Sequence, residues 1–198
     1  MEIKNNLHKQ VLLLLLKEFT KDHTITTLAK ELKVTRTGIW KVLKKLESQE
    51  FITLKSLGSG KTSIYIIKLK WNIITEKSLV LYLIEESMKQ ARWISNFEEL
   101  KDILDFLIVY GSIINTPKQA NDIDILGITS KNKFSKADNI IQKIQKTQIK
   151  KIHSINFTQK ELERELGKNN RAFIEAIKKG KVLFGQDGFV DFMKRVYK

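Results

Sequence analysis

Residues 105–128 constrain the fold of this chain more than any other stretch. Asp105-Phe106-Leu107-Ile108-Val109-Tyr110 is an almost uninterrupted apolar run of strand length, ended by Gly111-Ser112. A run without polar alternation suits a strand covered on both faces, at the centre of a layered sheet. After a short spacer, Asp122-Ile123-Asp124-Ile125-Leu126-Gly127-Ile128 reads as a second strand. Its two carboxylates stand at alternate positions, and the two-residue period of a strand puts both on one face. Two hard oxygen donors side by side at a sheet end suit magnesium. A Gly-Ser turn between a strand and a helix can bring backbone N–H groups against a phosphate.

Residues 1–70 carry a different pattern. A first helix is expected over Asn5–Phe19, apolar on nearly every side through Val11–Leu16. Thr24 or Thr26 can cap a short second helix reaching Leu32, and Lys33-Val34-Thr35 is a tight turn. Thr35 is then the expected N-cap of a third helix to about Ser48, with Ile39, Leu43 and Leu46 at core spacing. Two β-rich runs, Phe51–Lys55 and Ser63–Leu69, flank a glycine-rich connection and predict a hairpin. Trp40 is expected to pack against that hairpin or the first helix. Gly58-Ser59-Gly60-Lys61-Thr62-Ser63 looks like the end of a P-loop. That pattern needs a glycine where Lys55 stands and a helix after the Lys-Thr, and here a strand follows.

Charge says what class of partner to expect. With 36 Lys and Arg against 22 Asp and Glu, the 198 residues carry +14. Residues 1–70 hold 14 basic and 6 acidic residues, a net of +8, leaving +6 for residues 71–198. Such a balance favours polyanionic partners, because field strength and counterion release both reward it. Cysteine is absent, which excludes disulfides, thiolate zinc sites and a cysteine nucleophile. The longest apolar run, Val11–Leu16, is far short of the roughly 20 residues of a membrane span, and no secretion signal is evident. A cytoplasmic location without membrane contact is the expectation.

The chain divides, on this reading, into residues 1–70, a connecting helix within residues 71–95, and residues 96–198. No linker rich in Pro, Gly or Ser intervenes, and Pro117 is the only proline. The join is expected around Lys70 to Glu76. A helix over Lys77–Arg92 is a candidate interface for a homodimer, and a short helix is expected over Phe97–Ile103. Ile140, Ile141, Ile144 and Ile149 read as core at helical spacing, and Lys143, Lys146, Lys150 and Lys151 as a solvated face. His8 and His23 are expected at the surface or a cap.

Two resemblances follow from these residues. Leu28 to Leu46, with the hairpin after it, resembles winged helix-turn-helix domains of the biotin-repressor type over residues 5–70 or so. The resemblance implies a third helix in the major groove of double-stranded DNA and a wing on the backbone or minor groove. It places Arg36, Thr37, Lys41, Lys44 and Lys45 toward DNA and Lys61 at the wing tip toward phosphate. The bland alternative is a solvated helix face. The strand, Gly-Ser, spacer and Asp-x-Asp strand resemble the nucleotidyltransferase superfamily that includes DNA polymerase beta, most closely its minimal nucleotidyltransferase branch, over residues 96–190. Phe173 to Gly185 is similar to the helix and short strand that end many such chains. This implies an α+β fold with a mixed sheet flanked by helices. Gly111 and Ser112 would hold the phosphates of ATP or another nucleoside triphosphate, Lys118 would add a cation, and Asp122 and Asp124 would be the catalytic pair that binds Mg²⁺. The family adds a third carboxylate on a later strand. The candidate strand Lys150–Phe157 holds no Asp or Glu, and His153, Ser154 or Asn156 takes that position.

Two functions fit. In one, the protein is a DNA-binding, Mg²⁺-dependent nucleotidyltransferase moving NMP, most simply AMP from ATP, to a protein or other hydroxyl acceptor, as antitoxins of this branch do. In the other, it is a transcriptional regulator whose nucleotidyltransferase fold has lost catalysis and senses a nucleotide or docks a partner.

Overall fold

The computed structural model describes residues 2–58 and 64–197. It is a mixed α+β structure with two sheets among the described residues. The chain forms two compact units, one running to Tyr82 and including Tyr197, the other from Leu83 to Val196.

In the N-terminal unit, α1 (Glu2–Lys17), α2 (Ile25–Glu31) and α3 (Arg36–Ser48) precede the paired strands β2 (Ile52–Leu57) and β3 (Ile64–Leu69). A two-residue strand β1 (His23–Thr24) adds to the far edge of β3, giving the order β1-β3-β2, antiparallel throughout. Thr24 closes a capping box on α2: the Thr27 N–H donates to its Oγ1 at 3.2 Å, and its own N–H donates to Thr27 Oγ1 at 2.7 Å. Thr35 caps α3 by accepting from the Gly38 N–H at 3.0 Å. Each cap satisfies an amide that the helix itself leaves unpaired. Val11, Leu12, Leu15 and Leu16 of α1 are buried with Ile39, Leu43 and Leu46 of α3 and Ile52 and Ile67 of the sheet. His23 does not decorate the surface: β1 pairing with β3 buries it, and its Nε2 lies 3.0 Å from the Glu18 carbonyl oxygen.

Helix α4 (Ile73–Met88) starts and ends about a turn before the span expected from sequence. The Asn72 side chain explains the start, because its Oδ1 accepts from the Thr75 N–H at 2.9 Å. The boundary between the units falls within α4. Next come α5 (Ala91–Asn96) and a single 3-10 turn at Glu98–Leu100, in place of the helix that the pattern predicts over Phe97–Ile103.

The C-terminal unit is built on four strands in the order β6-β5-β4-β7: β4 (Phe106–Tyr110), β5 (Asp122–Ile128), β6 (Lys151–Phe157) and β7 (Lys181–Phe184). β4 runs antiparallel to both neighbours, and β5 and β6 are parallel. The short α6 (Ser112–Asn115) joins β4 to the loop before β5, and α7 (Phe134–Gln145) makes the crossover from β5 to β6. Then α8 (Gln159–Gly167) and α9 (Arg171–Lys179) lead to β7, and α10 (Gln186–Val196) follows. One sheet face packs Leu107, Val109, Ile123, Ile125 and Ile152 against Ile141 and Ile144 of α7. On the other, Phe106 meets Phe189 and Phe192 of α10 at centroid distances of 5.5 and 5.7 Å. Ile149 is fully exposed rather than core. α7 stops at Gln145, so helical spacing no longer governs where residue 149 points.

Phe106 is completely buried between these rings. Phe106→Ala is expected to lower the stability of the C-terminal unit by about 3–5 kcal/mol, seen as an earlier urea-unfolding transition of the full chain.

Candidate functional site

Strand register assembles the polar site. Tyr110 of β4 stands opposite Asp124 of β5, and Asp124 stands opposite His153 of β6. Partners across a ladder share a face, so these three side chains line up at one end of the sheet, and Asp122 joins them two residues along. His153 Nδ1 lies 3.3 Å from Asp122 Oδ2 and 3.6 Å from Asp124 Oδ1. One ligand-capable atom from each of the three residues lies within 4.8 Å of the others. Of the three residues that could take the third-carboxylate position, His153 is the one beside the pair. Ser154 pairs with Ile125 on the opposite face, and the Asn156 side chain donates to Asp138 at 2.8 Å.

Gly111 sits directly against this group. Its φ of +81° is left-handed, and a Cβ there would stand 2.3 Å from Asp124 Oδ2. Only glycine lets the turn close onto the carboxylate. Ser112 opens α6 and is exposed, and the Gly-Ser turn after β4 lies at the same end of the sheet as both aspartates. Lys118 stands exposed in the loop after α6. Sequence reasoning missed Lys150. Instead of sitting in a solvated face, it is half-buried and its ammonium donates to the Ala120 carbonyl, tying the approach to β5 to the approach to β6. Nothing local marks this role, since the two residues meet only when the strands pair.

Burial, reinforced by the neighbouring Asp122 charge, raises the Asp124 carboxyl above the ordinary aspartate value, and His153 opposes the rise. Burial, with Asp124 and then Asp122, likewise pushes the Tyr110 phenol up. The pair therefore stands in mutual repulsion, an arrangement that a cation relieves. The carboxylates suit a divalent ion, but an imidazole as third donor does not suit magnesium, which takes oxygen ligands.

On α3, Ile39, Leu43 and Leu46 are buried, and Arg36, Thr37, Lys41, Lys44 and Lys45 are all exposed. Trp40 packs on Tyr65 of β3 at 5.2 Å between ring centroids. Lys44 is engaged locally, 2.8 Å from Glu47 Oε2 and 5.1 Å above the Trp40 ring. Lys45 stands close enough to His8 to add to the effect of burial in lowering its pKa. Arg36 and Lys41 make no ion pair among the described residues. Lys61 lies outside the described residues.

The raised pKa of Asp124 means that the folded chain binds that proton more tightly than the unfolded chain does. The resulting penalty is absent at low pH and grows as pH rises through the folded value. Asp124→Asn is expected to melt above the wild type at neutral pH, and to lose that advantage below about pH 4. Circular-dichroism melts over that pH range check it.

Among known families, a model described as an HTH domain matches residues 8–60. No curated protein and no solved structure matches the chain. The N-terminal unit thus carries a helix-turn-helix domain, whose helices are α2 and α3 in the described fold.

Proposed function

We propose that the chain is a DNA-binding regulator of the winged helix-turn-helix type whose C-terminal unit is a nucleotidyltransferase-like module that binds a nucleoside triphosphate together with a divalent cation. The helix-turn-helix match and the exposed basic face of α3 support the first half. On this reading α3 enters the major groove, with Arg36, Thr37 and Lys41 reaching DNA and the hairpin β2–β3 acting as the wing. Lys44 and Lys45 flank that face, and Lys61 would meet phosphate.

The second half is carried by the contact of Gly111 with Asp124. It puts a turn able to present backbone N–H groups to phosphates beside two carboxylates able to hold the cation that accompanies those phosphates. Ser112 and Lys118 are the further phosphate ligands of this reading.

Transfer of AMP from ATP to a protein hydroxyl, in the manner of an antitoxin, is the second reading. The observation favouring it is His153, a group able to accept a proton, beside both aspartates. The absence of a third carboxylate from that group, among the described residues, favours binding and sensing over transfer.

Two measurements test the halves separately. Arg36→Ala and Lys41→Ala are each expected to weaken binding to duplex DNA and to make the dependence of log affinity on log salt shallower by about 1 for each side chain that meets a phosphate. An unchanged affinity and slope would mean that α3 is not the recognition helix. In calorimetry with ATP and either Mg²⁺ or Mn²⁺, the Asp122→Ala, Asp124→Ala double variant is expected to bind at least about tenfold more weakly than wild type, a loss of roughly 1.4 kcal/mol. Equal binding sinks the nucleotide reading. Label transfer from α-labelled ATP to a protein acceptor decides for the second reading.

A further inference from the structure

The cation implied by the nucleotidyltransferase-like reading, on which this inference rests, is magnesium, and the donors present at this end of the sheet disagree with it. Magnesium demands near-ideal octahedral oxygen ligation, whereas imidazole suits the later first-row ions. We propose that Asp122, Asp124 and His153 form a two-carboxylate, one-imidazole site that selects a divalent transition ion, such as Mn²⁺ or Zn²⁺, over Mg²⁺, and that His153 is the residue that sets this choice.

The spacing supports a shared ion. Donor atoms about 2.1 Å from one metal stand about 3.0 Å apart across a right angle and about 3.4 Å apart across a tetrahedral angle. His153 Nδ1 is 3.3 Å from Asp122 Oδ2 and 3.6 Å from Asp124 Oδ1, close to the edges of such a polyhedron. The backbone holds the three in place rather than chance contact of long side chains. Asp124 and His153 are direct partners in the parallel ladder, and Asp122 lies two residues along the same strand as Asp124. Gly111 leaves the space that the Asp124 carboxylate occupies. Lys150, anchored on Ala120, pins the entry to both strands.

Ligation at Nδ1 uses that nitrogen's lone pair and leaves the ring proton on Nε2. The His153 side chain is about half exposed, so Nε2–H can be satisfied by solvent. Two carboxylates then neutralise the ion's charge, which removes the repulsion between Asp122 and Asp124 without consuming a proton. The donor set also leaves positions open on the ion, as sites that admit substrate oxygens do.

The test uses the full chain, freed of metal, without nucleotide. Mn²⁺, Zn²⁺ and Mg²⁺ are titrated by calorimetry against wild type, His153→Asp, His153→Gln and the Asp122→Ala, Asp124→Ala double variant. Melting curves confirm that each variant is folded. Wild type is expected to prefer the transition ions over Mg²⁺, and His153→Asp to narrow the Zn²⁺/Mg²⁺ ratio by about tenfold or more through better Mg²⁺ and poorer Zn²⁺ binding. His153→Gln should lose Zn²⁺ affinity without gaining Mg²⁺. Co²⁺ in place of Zn²⁺ should show visible absorption that changes on His153→Asp. A Zn²⁺/Mg²⁺ ratio unmoved by His153→Asp, or transition-ion binding retained by the double aspartate variant, overturns the proposal. These outcomes are separable from the nucleotide reading. Selective metal binding without ATP binding removes that reading and leaves the site standing. A Zn²⁺/Mg²⁺ ratio unmoved by His153→Asp, together with ATP binding that needs the aspartates, does the reverse.

Discussion

The C-terminal unit depends on β4. Phe106 to Val109 are buried, and β4 pairs antiparallel with β5 on one edge and β7 on the other. Its alternate side chains feed both cores at once, Leu107 and Val109 toward α7 and Phe106 toward the rings of α10. A strand fixed on four sides cannot shift register, because a one-residue slip would turn every side chain to the wrong face. The end of β4 is therefore a fixed point, and Tyr110, Gly111 and Ser112 are delivered there with little freedom. Gly111 converts that rigidity into a site by admitting the Asp124 carboxylate where any side chain would collide with it.

Electrostatics at that end of the sheet run against stability. Asp122 and Asp124 share a face at short range, and the partial burial of Asp124 disfavours its charged form. His153 moderates the repulsion and completes the ligand-capable group. On the proposed reading, a bound cation would relieve this repulsion. The N-terminal unit shows the same economy on a different surface. Its core is aliphatic and closed, its caps are satisfied, and the basic side chains of α3 stand in solvent.

Much of the fold is legible from local pattern. The caps Thr24 and Thr35, the apolar run ending at Tyr110 and the β5 and β6 strands are encoded within a few residues of where they act, through hydrogen-bonding side chains and two-residue periodicity. The capping box that starts α8 is equally local: Glu161 accepts from the Thr158 backbone, which together with the Thr158 hydroxyl holds its pKa down to about 2. Local pattern misleads past an element's end, as with Ile149 beyond α7. It misleads too at residues whose surroundings come from distant strands, as with the buried His23 and the anchored Lys150.

The candidate site divides along the same line. Sequence alone determined that Asp122 and Asp124 share a face and that a Gly-Ser turn follows a buried strand, because both depend only on alternation along one strand. The sequence also limited the third position to His153, Ser154 or Asn156. It could not choose among them, since that requires the register of β6 against β5 across the α7 crossover. Tertiary pairing decided it: Asp124 stands opposite His153, and an imidazole rather than a carboxylate completes the group. The physical reason is that periodicity fixes a side chain's face, whereas only the ladder hydrogen bonds between distant segments fix its neighbour.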